Sequence, residues 1–198
     1  HLDYPYKSGI TKTLKDLLHS TSKYAVKNFE FSKNPLAIDI GSNDGTLLEG
    51  FKNQGFKVLG VEPTNIAKLA NKKGIKTIQK FFDINTSKEI LKKYGKAKLV
   101  TTTNVFAHTN NLYEFIKGTR NILKKDGVFV IENHYLLEVI KKTQFDTFYH
   151  EHLRTYSLKS LIKLMKYYKL HLIDAYTTTR YGGNIQAHFS MKKKKYNH

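Results

Sequence analysis

From residue 36 onward the chain alternates short β-type runs with amphipathic helical stretches, and this order constrains its fold more than any other feature. Strands are expected at 36–40, 57–62, 75–79, 98–103 and 127–132. A strand that runs parallel to its predecessor needs a crossover, and the intervening helices supply it, so the sheet is expected to be covered on both faces. Thr86-Ser87-Lys88-Glu89 and Asn111-Leu112-Tyr113-Glu114 have the spacing of a capping box. Ser157 is placed to cap another helix, with Leu158, Leu161, Ile162, Leu164 and Met165 on its core face. The last two strands, 170–176 and 185–190, are separated only by a short stretch with a glycine pair. The final strand is therefore expected to run antiparallel, beside either 170–176 or the fifth strand. The result is an α/β fold with a seven-stranded, mostly parallel sheet. An N-terminal arm and amphipathic helix (1–30, with the helix over 12–29) precede the main domain at 31–191, and a basic tail follows at 192–198.

The first strand runs into Asp39-Ile40-Gly41-Ser42-Asn43-Asp44-Gly45-Thr46, a glycine turn that opens a helix. Such a turn brings backbone N–H groups close to a ligand at a helix N-terminus. A dinucleotide fold would place glycine where Asn43 stands, and a triphosphate loop would end in Gly-Lys-Ser/Thr; neither is present. Asp39 and Asp44 make the loop acidic, which repels a pyrophosphate and suits a cationic or zwitterionic ligand such as S-adenosylmethionine. Glu62-Pro63 ends the second strand, twenty-one positions after Gly41. An acid there can accept from ribose hydroxyls or cap the next helix. Phe81-Phe82-Asp83 follows the third strand, where an aromatic ring either lies beside an adenine or packs in the core.

Composition narrows the function classes. With 34 basic and 16 acidic residues the formal charge is +18. Only Arg120, Arg154 and Arg180 are arginine, however, and base or phosphate readers favour its planar fork. The lysines read as a solvated surface, or as a field for an anionic ligand such as a nucleotide diphosphate; nucleic-acid binding is the lesser expectation. The sequence has no cysteine, which excludes disulfides and cysteine-ligated metal. No apolar run approaches the ~20 residues of a membrane helix, and no cationic leader is evident, so a cytoplasmic protein that does not enter the membrane is expected. The first residue is His1, which suggests an excised or incomplete chain. Nothing in the sequence sets the oligomeric state.

Four blocks in order carry a resemblance: Gly41-Ser42-Asn43-Asp44-Gly45-Thr46-Leu47-Leu48, Gly60-Val61-Glu62-Pro63, Asn104-Val105-Phe106-Ala107-His108, and Gln144-Phe145-Asp146-Thr147-Phe148-Tyr149-His150-Glu151-His152. Over about residues 4–190 the chain resembles the S-adenosylmethionine-dependent C-methyltransferases that act on nucleotide-linked keto-deoxysugars. Tyr4-Pro5-Tyr6-Lys7-Ser8-Gly9 resembles that family's entry motif. Family members usually carry a cysteine-rich zinc module and a second α/β domain, and they tend to read Gly-Gly-Ser-Leu/Ile-Arg where this sequence has Gly182-Gly183-Asn184-Ile185-Gln186.

The resemblance implies a Rossmann-like class I methyltransferase fold with S-adenosylmethionine as cofactor and a nucleotide sugar as small-molecule partner. It assigns Asp39, Gly41, Asn43, Asp44, Gly45, Glu62, Pro63, Phe82, Asp83 and Asn104 to the donor. C-methylation next to a ketone needs a base near the α-proton and donors for the enolate oxygen. His152 is the implied base, with Glu151 as its partner or the alternative base. Tyr149 and His108 would contact the sugar ketone or hydroxyls, while Tyr4, Tyr6 and Asn184 are further substrate contacts. His150, Glu151 and His152 also have the residue types of a metal site, but no third ligand has a suitable spacing, and no metal is expected. His134 and His188 belong to no motif and read as structural. Methyl transfer to oxygen or nitrogen of another small molecule is the alternative activity, because one donor fold serves many acceptors.

Overall fold

A computed structural model describes residues 8–193. Seven strands form one sheet: β1 (Leu36–Ile40), β2 (Lys57–Val61), β3 (Thr77–Ile78), β4 (Ala97–Thr103), β5 (Leu123–His134), β6 (His171–Thr178) and β7 (Asn184–Ser190). Their spatial order is β3-β2-β1-β4-β5-β7-β6. All neighbours from β3 through β5 pair in parallel. β7 inserts between β5 and β6 and pairs antiparallel with both. The two neighbours foreseen as alternatives for the final strand are thus both present.

Among the described residues seven α-helices precede or connect these strands: α1 (Lys12–Asn28), α2 (Thr46–Asn53), α3 (Ala67–Lys72), α4 (Ile84–Tyr94), α5 (Leu112–Ile122), α6 (Leu136–Lys141) and α7 (Leu158–Tyr167). Alternation along each strand divides the core. Ala37 of β1, Leu99 of β4 and Val128 and Val130 of β5 face α1 and α2, where Leu18, Ala25, Leu47 and Phe51 meet them. Ile38 and Ile40, Val100, Phe129 and Ile131 face the other side and pack on Ile90, Phe115, Ile116, Leu161 and Met165 of α4, α5 and α7. Phe51, Phe106, Phe129 and Phe189 are fully buried, and each such ring contributes roughly 1.5–3 kcal/mol relative to exposure. Because α1 shares this core with α2, the N-terminal helix is built into the α/β layer. Among the described residues no helix is long and apolar enough to cross a membrane.

Helix starts depart from expectation in two places. α4 is capped by Asp83, whose carboxylate accepts from the Thr86 amide at 2.6 Å. Thr86 instead turns its hydroxyl to the Phe81 carbonyl at 2.9 Å. The box expected at Thr86–Glu89 therefore gives way to a cap three residues earlier, because aspartate is the stronger N-terminal acceptor. Asn111 caps α5 through the Glu114 amide, as expected, but the Glu114 carboxylate reaches the Ile84 amide at the start of α4. Ser157 and Ser160 form a reciprocal box on α7. β3 is two residues rather than five, a short edge strand of the kind that resists pairing with other chains.

Candidate active site

β1, β2 and β4 all run parallel, so their carboxyl ends open at one edge of the sheet, where an open α/β sheet leaves its ligand crevice. A cleft of about 1530 Å³ lies there. On one side it is walled by Asp39, Gly41, Asn43, Glu62, Pro63, Phe82, Asp83 and Asn104, and on the other by His108, Tyr149, Glu151 and His152. The structure thus brings most of the expected site residues to one cavity from elements far apart in sequence.

The glycine turn is shaped by its contacts. Gly41 has φ +75, and a Cβ there would lie 2.3 Å from Cγ2 of Val105, so only glycine fits. Gly45, at φ +80, is the residue before α2 and does not line the cleft. Asp44 is also withdrawn from the cavity. Burial pushes its carboxyl up, but Lys73 at 2.8 Å and the Thr46 hydroxyl at 2.7 Å outweigh that and hold it below the usual range. It organises the loop and ties down the preceding segment through the Gly9 amide at 3.2 Å. Asn43 is held at φ +49, and its side chain accepts from the Ser8 amide at 2.8 Å.

Asp39 and Glu62, by contrast, do face the cavity. Asp39 accepts from the Thr101 hydroxyl at 2.6 Å. Burial, with the Glu62 charge adding, raises its carboxyl to about 7 against that hydrogen bond. Glu62 receives the Asn43 amide on Oε2 at 3.0 Å, and the Thr64 amide and hydroxyl on Oε1 at 3.0 and 2.7 Å. It fastens both loops, and Oε2 still has a lone pair for a ligand hydroxyl. Phe82 is half-buried and meets Phe115 edge to face at 5.5 Å, so it belongs to the core as well as the cleft wall; Phe81 is the exposed neighbour. Asn104 turns the chain after β4 at φ +53.

On the opposite wall His152 has a defined tautomer. Its Nδ1 lies 2.7 Å from the Thr147 carbonyl, which only accepts, so in the neutral ring Nδ1 carries the proton. Nε2 then accepts from the Tyr149 hydroxyl at 3.2 Å. The Thr147 carbonyl, and not the Glu151 carboxylate, therefore orients His152. The His108 ring lies 4.8 Å from that of His152, and the His134 ring 5.0 Å. Burial and then the neighbouring His152 hold His108 below its ordinary value; the same two causes, with His108 adding, bring His134 to about 4. Arg154 donates to the Thr109 carbonyl at 2.6 Å and clamps this loop to the segment after β4. Among the described residues no group of three or more acids or histidines is arranged to hold a metal.

Some assignments fall elsewhere. Asn184 does not line the cleft; it is fully buried, donating to Asn104 and Glu132 at 3.1 Å. Tyr4 and Tyr6 lie outside the described residues. The sequence reading missed His134, which β5 carries two residues past its expected end to the cavity, and Arg180, which lines it beside Tyr181. A basic residue two positions before the glycine pair was the available signal for Arg180. His188 is buried between Tyr24 and Tyr176, as a structural histidine should be.

Comparison with known proteins agrees with this geometry. The sequence model of the family described as "Methyltransferase domain" matches residues 6–174. C-methyltransferase NovU of Streptomyces niveus is 37% identical over 183 residues, covering 92% of this chain and 44% of that protein, so the chain spans less than half the relative's length. Magnesium protoporphyrin IX methyltransferase (ChlM) of Synechocystis PCC 6803, solved with bound SAH, superposes with a TM-score of 0.68 at 13% identity, over 94% of this chain and 90% of that one. A SAM-dependent methyltransferase of Archaeoglobus fulgidus gives 0.69 at 14% identity, over 88% and 93%. The cleft fits that donor. Its buried acids suit a ligand bearing a sulfonium and an ammonium, Glu62 Oε2 keeps a lone pair for a ribose hydroxyl, and Gly41 lets the backbone come close. The chain belongs to the family described as a methyltransferase domain, and it has the Rossmann-like fold of the S-adenosylmethionine-dependent methyltransferases on which it superposes.

Proposed function

We propose that the enzyme methylates a carbon next to the ketone of a nucleotide-linked deoxysugar. The observation that carries this reading is the His152 imidazole, held by the Thr147 carbonyl so that its Nε2 lone pair and the Tyr149 hydroxyl share one edge of the cleft. When bound, S-adenosylmethionine supplies an electrophilic methyl group on its sulfonium. Tyr149 donates to the ketone oxygen, and in leaving His152 it frees the Nε2 lone pair for the α-proton. His152 Nε2 takes that proton, and the C–H electron pair becomes the enolate, whose charge Tyr149 stabilises. The enolate carbon would then take the methyl group that the bound donor supplies, and the ketone would be restored. His152 then releases its proton to solvent. His108 and Glu151 line the same wall and are proposed to bind sugar hydroxyls, with Glu151 as the second base. The 37% identity to a protein named a C-methyltransferase supports transfer to carbon.

The test is solvent deuterium exchange at the carbon beside the ketone of a nucleotide keto-deoxysugar, run without donor. The intact enzyme should exchange that proton, and His152→Ala should lose the exchange. Exchange that persists in both His152→Ala and Glu151→Gln would place the base elsewhere. No exchange with the intact enzyme would replace carbon transfer by transfer to oxygen or nitrogen.

A further inference from the structure

β5 and β7 carry a buried polar cluster at the floor of the cleft. Glu132, fully buried, accepts from Nε of Arg180 at 2.6 Å, from Arg180 Nη2, from Gln186 at 2.7 Å, from Asn184 at 3.1 Å and from the Thr178 hydroxyl at 3.2 Å. Two carboxylate oxygens offer about four lone-pair sites, so Glu132 has nothing left for a ligand. Its effect is to hold Arg180.

Arg180 is only 4% exposed, yet it lines the cleft. It meets Glu132 through its Nε and Nη2 edge. No described residue accepts from Nη1, and Nη1 is not among the polar atoms sealed inside the protein. A guanidinium fixed on one edge and open on the other is a preorganised carboxylate receptor. Asp39 stands at the same end of the sheet, where β1 Asp39 is in register with β4 Thr101 and β4 Thr103 with β5 Glu132. Asp39 and Arg180 are near enough to act on each other electrostatically. β1 and β5 are two strand spacings apart, about 10 Å, a gap that an arginine reaching from the β6–β7 turn and an α-amino acid group can span together.

We propose that the free edge of Arg180 takes the methionyl carboxylate of S-adenosylmethionine, across from Asp39, which the donor assignment already places beside the ammonium. The proposal rests on the donor assignment made above. With Asp39, Glu132 and Arg180 ionised, the receptor carries one net negative charge, and the donor's sulfonium, ammonium and carboxylate carry one net positive charge. A substrate pyrophosphate at Arg180 would instead bring more negative charge beside two carboxylates, which disfavours it.

The experiment is calorimetry on the full chain with S-adenosylmethionine and with decarboxylated S-adenosylmethionine, which keeps the amine and sulfonium. A buried, charge-assisted carboxylate contact predicts that the intact protein prefers the carboxylate-bearing donor by ~10–100-fold. Equal affinity for the two ligands overturns the proposal without any variant. In Arg180→Lys, which keeps a cation against Glu132 and so preserves folding, the preference should shrink. In the paired Arg180→Gln, Glu132→Gln variant it should vanish. A preference undiminished in both variants also overturns the proposal. Failure of the intact protein to bind either ligand would refute the donor assignment itself, an outcome distinct from binding both equally.

Discussion

The Nδ1 of His152 stands 2.7 Å from the main-chain oxygen of Thr147, five residues earlier in the same loop. No side-chain substitution can remove that acceptor, so the tautomer is set by the backbone. Replacing His152 by alanine should abolish the proton acceptor. Methyl transfer is expected to fall by ~10²–10⁴ with donor affinity unchanged, read by single-turnover kinetics beside calorimetry. Tyr149→Phe should cost less, because it removes a donor to the developing oxyanion and leaves the base.

Gly41 gives a two-part prediction. Gly41→Ala adds a Cβ 2.3 Å from Val105 Cγ2 and forces a side chain into φ +75. The backbone part alone costs about 1–2 kcal/mol. Donor binding and melting temperature should both drop, and adding Val105→Ala should recover only the steric share. Full recovery in the double variant would show that the backbone conformation carries no cost.

Arg154 joins the two segments of the catalytic wall through the Thr109 carbonyl at 2.6 Å. Arg154→Ala leaves that carbonyl without its charged partner, a loss of about 1–3 kcal/mol. Its expected signature is a kcat lowered roughly tenfold at unchanged donor affinity, since the donor wall is built by other segments. A donor Kd that rises in parallel would mean that Arg154 acts through the whole cleft.

Acid sensitivity should trace to His188. Both of its ring nitrogens lack hydrogen-bond partners among the described residues, and burial brings it to about 4 despite the nearby Asp174 charge. A histidine whose folded value lies below its unfolded one contributes stability above the ordinary value near 6.5, and that stability is lost as pH falls toward 4. Between pH 7 and pH 5 the loss is about 2 kcal/mol. Asp39, raised to about 7, tilts the opposite way, its effect growing unfavourable as pH rises from 4 to 7. The measurement is thus the difference between intact protein and His188→Phe in denaturant titrations at the two pH values. The variant should lose the acid slope that His188 contributes.

The parts of this molecule that the sequence exposes are those written in neighbouring residues. β1 and the glycine turn after it, Glu62 at the tip of β2, and Ser157 before α7 all announce themselves within a few positions, because alternation, positive φ and capping are local physics. Glu132 and Arg180 are 48 positions apart, and no periodicity links them; only the insertion of β7 beside β5 brings them together. His134 was hidden for a related reason. The strand reading ended at Glu132, where the apolar run stops, whereas pairing with Asn184 and Ile185 extends β5 two residues further. Glu151 shows the remaining gap: adjacency in sequence suggested a partner for His152, and a main-chain oxygen takes that place.

The reversed direction of β7 has a consequence for how such an enzyme can change what it acts on. Every other strand delivers its following loop to the cleft, but β7 delivers its preceding one, so the turn over Arg180–Gly182 arrives from the far edge of the sheet. The walls that we assign to the donor and to the acceptor are encoded largely in separate stretches, the first running up to Asn104 and the second following it. Insertions and substitutions in the later stretch can reshape the acceptor pocket while the earlier one goes on being inherited intact, with Arg180 as the residue where the two histories must agree.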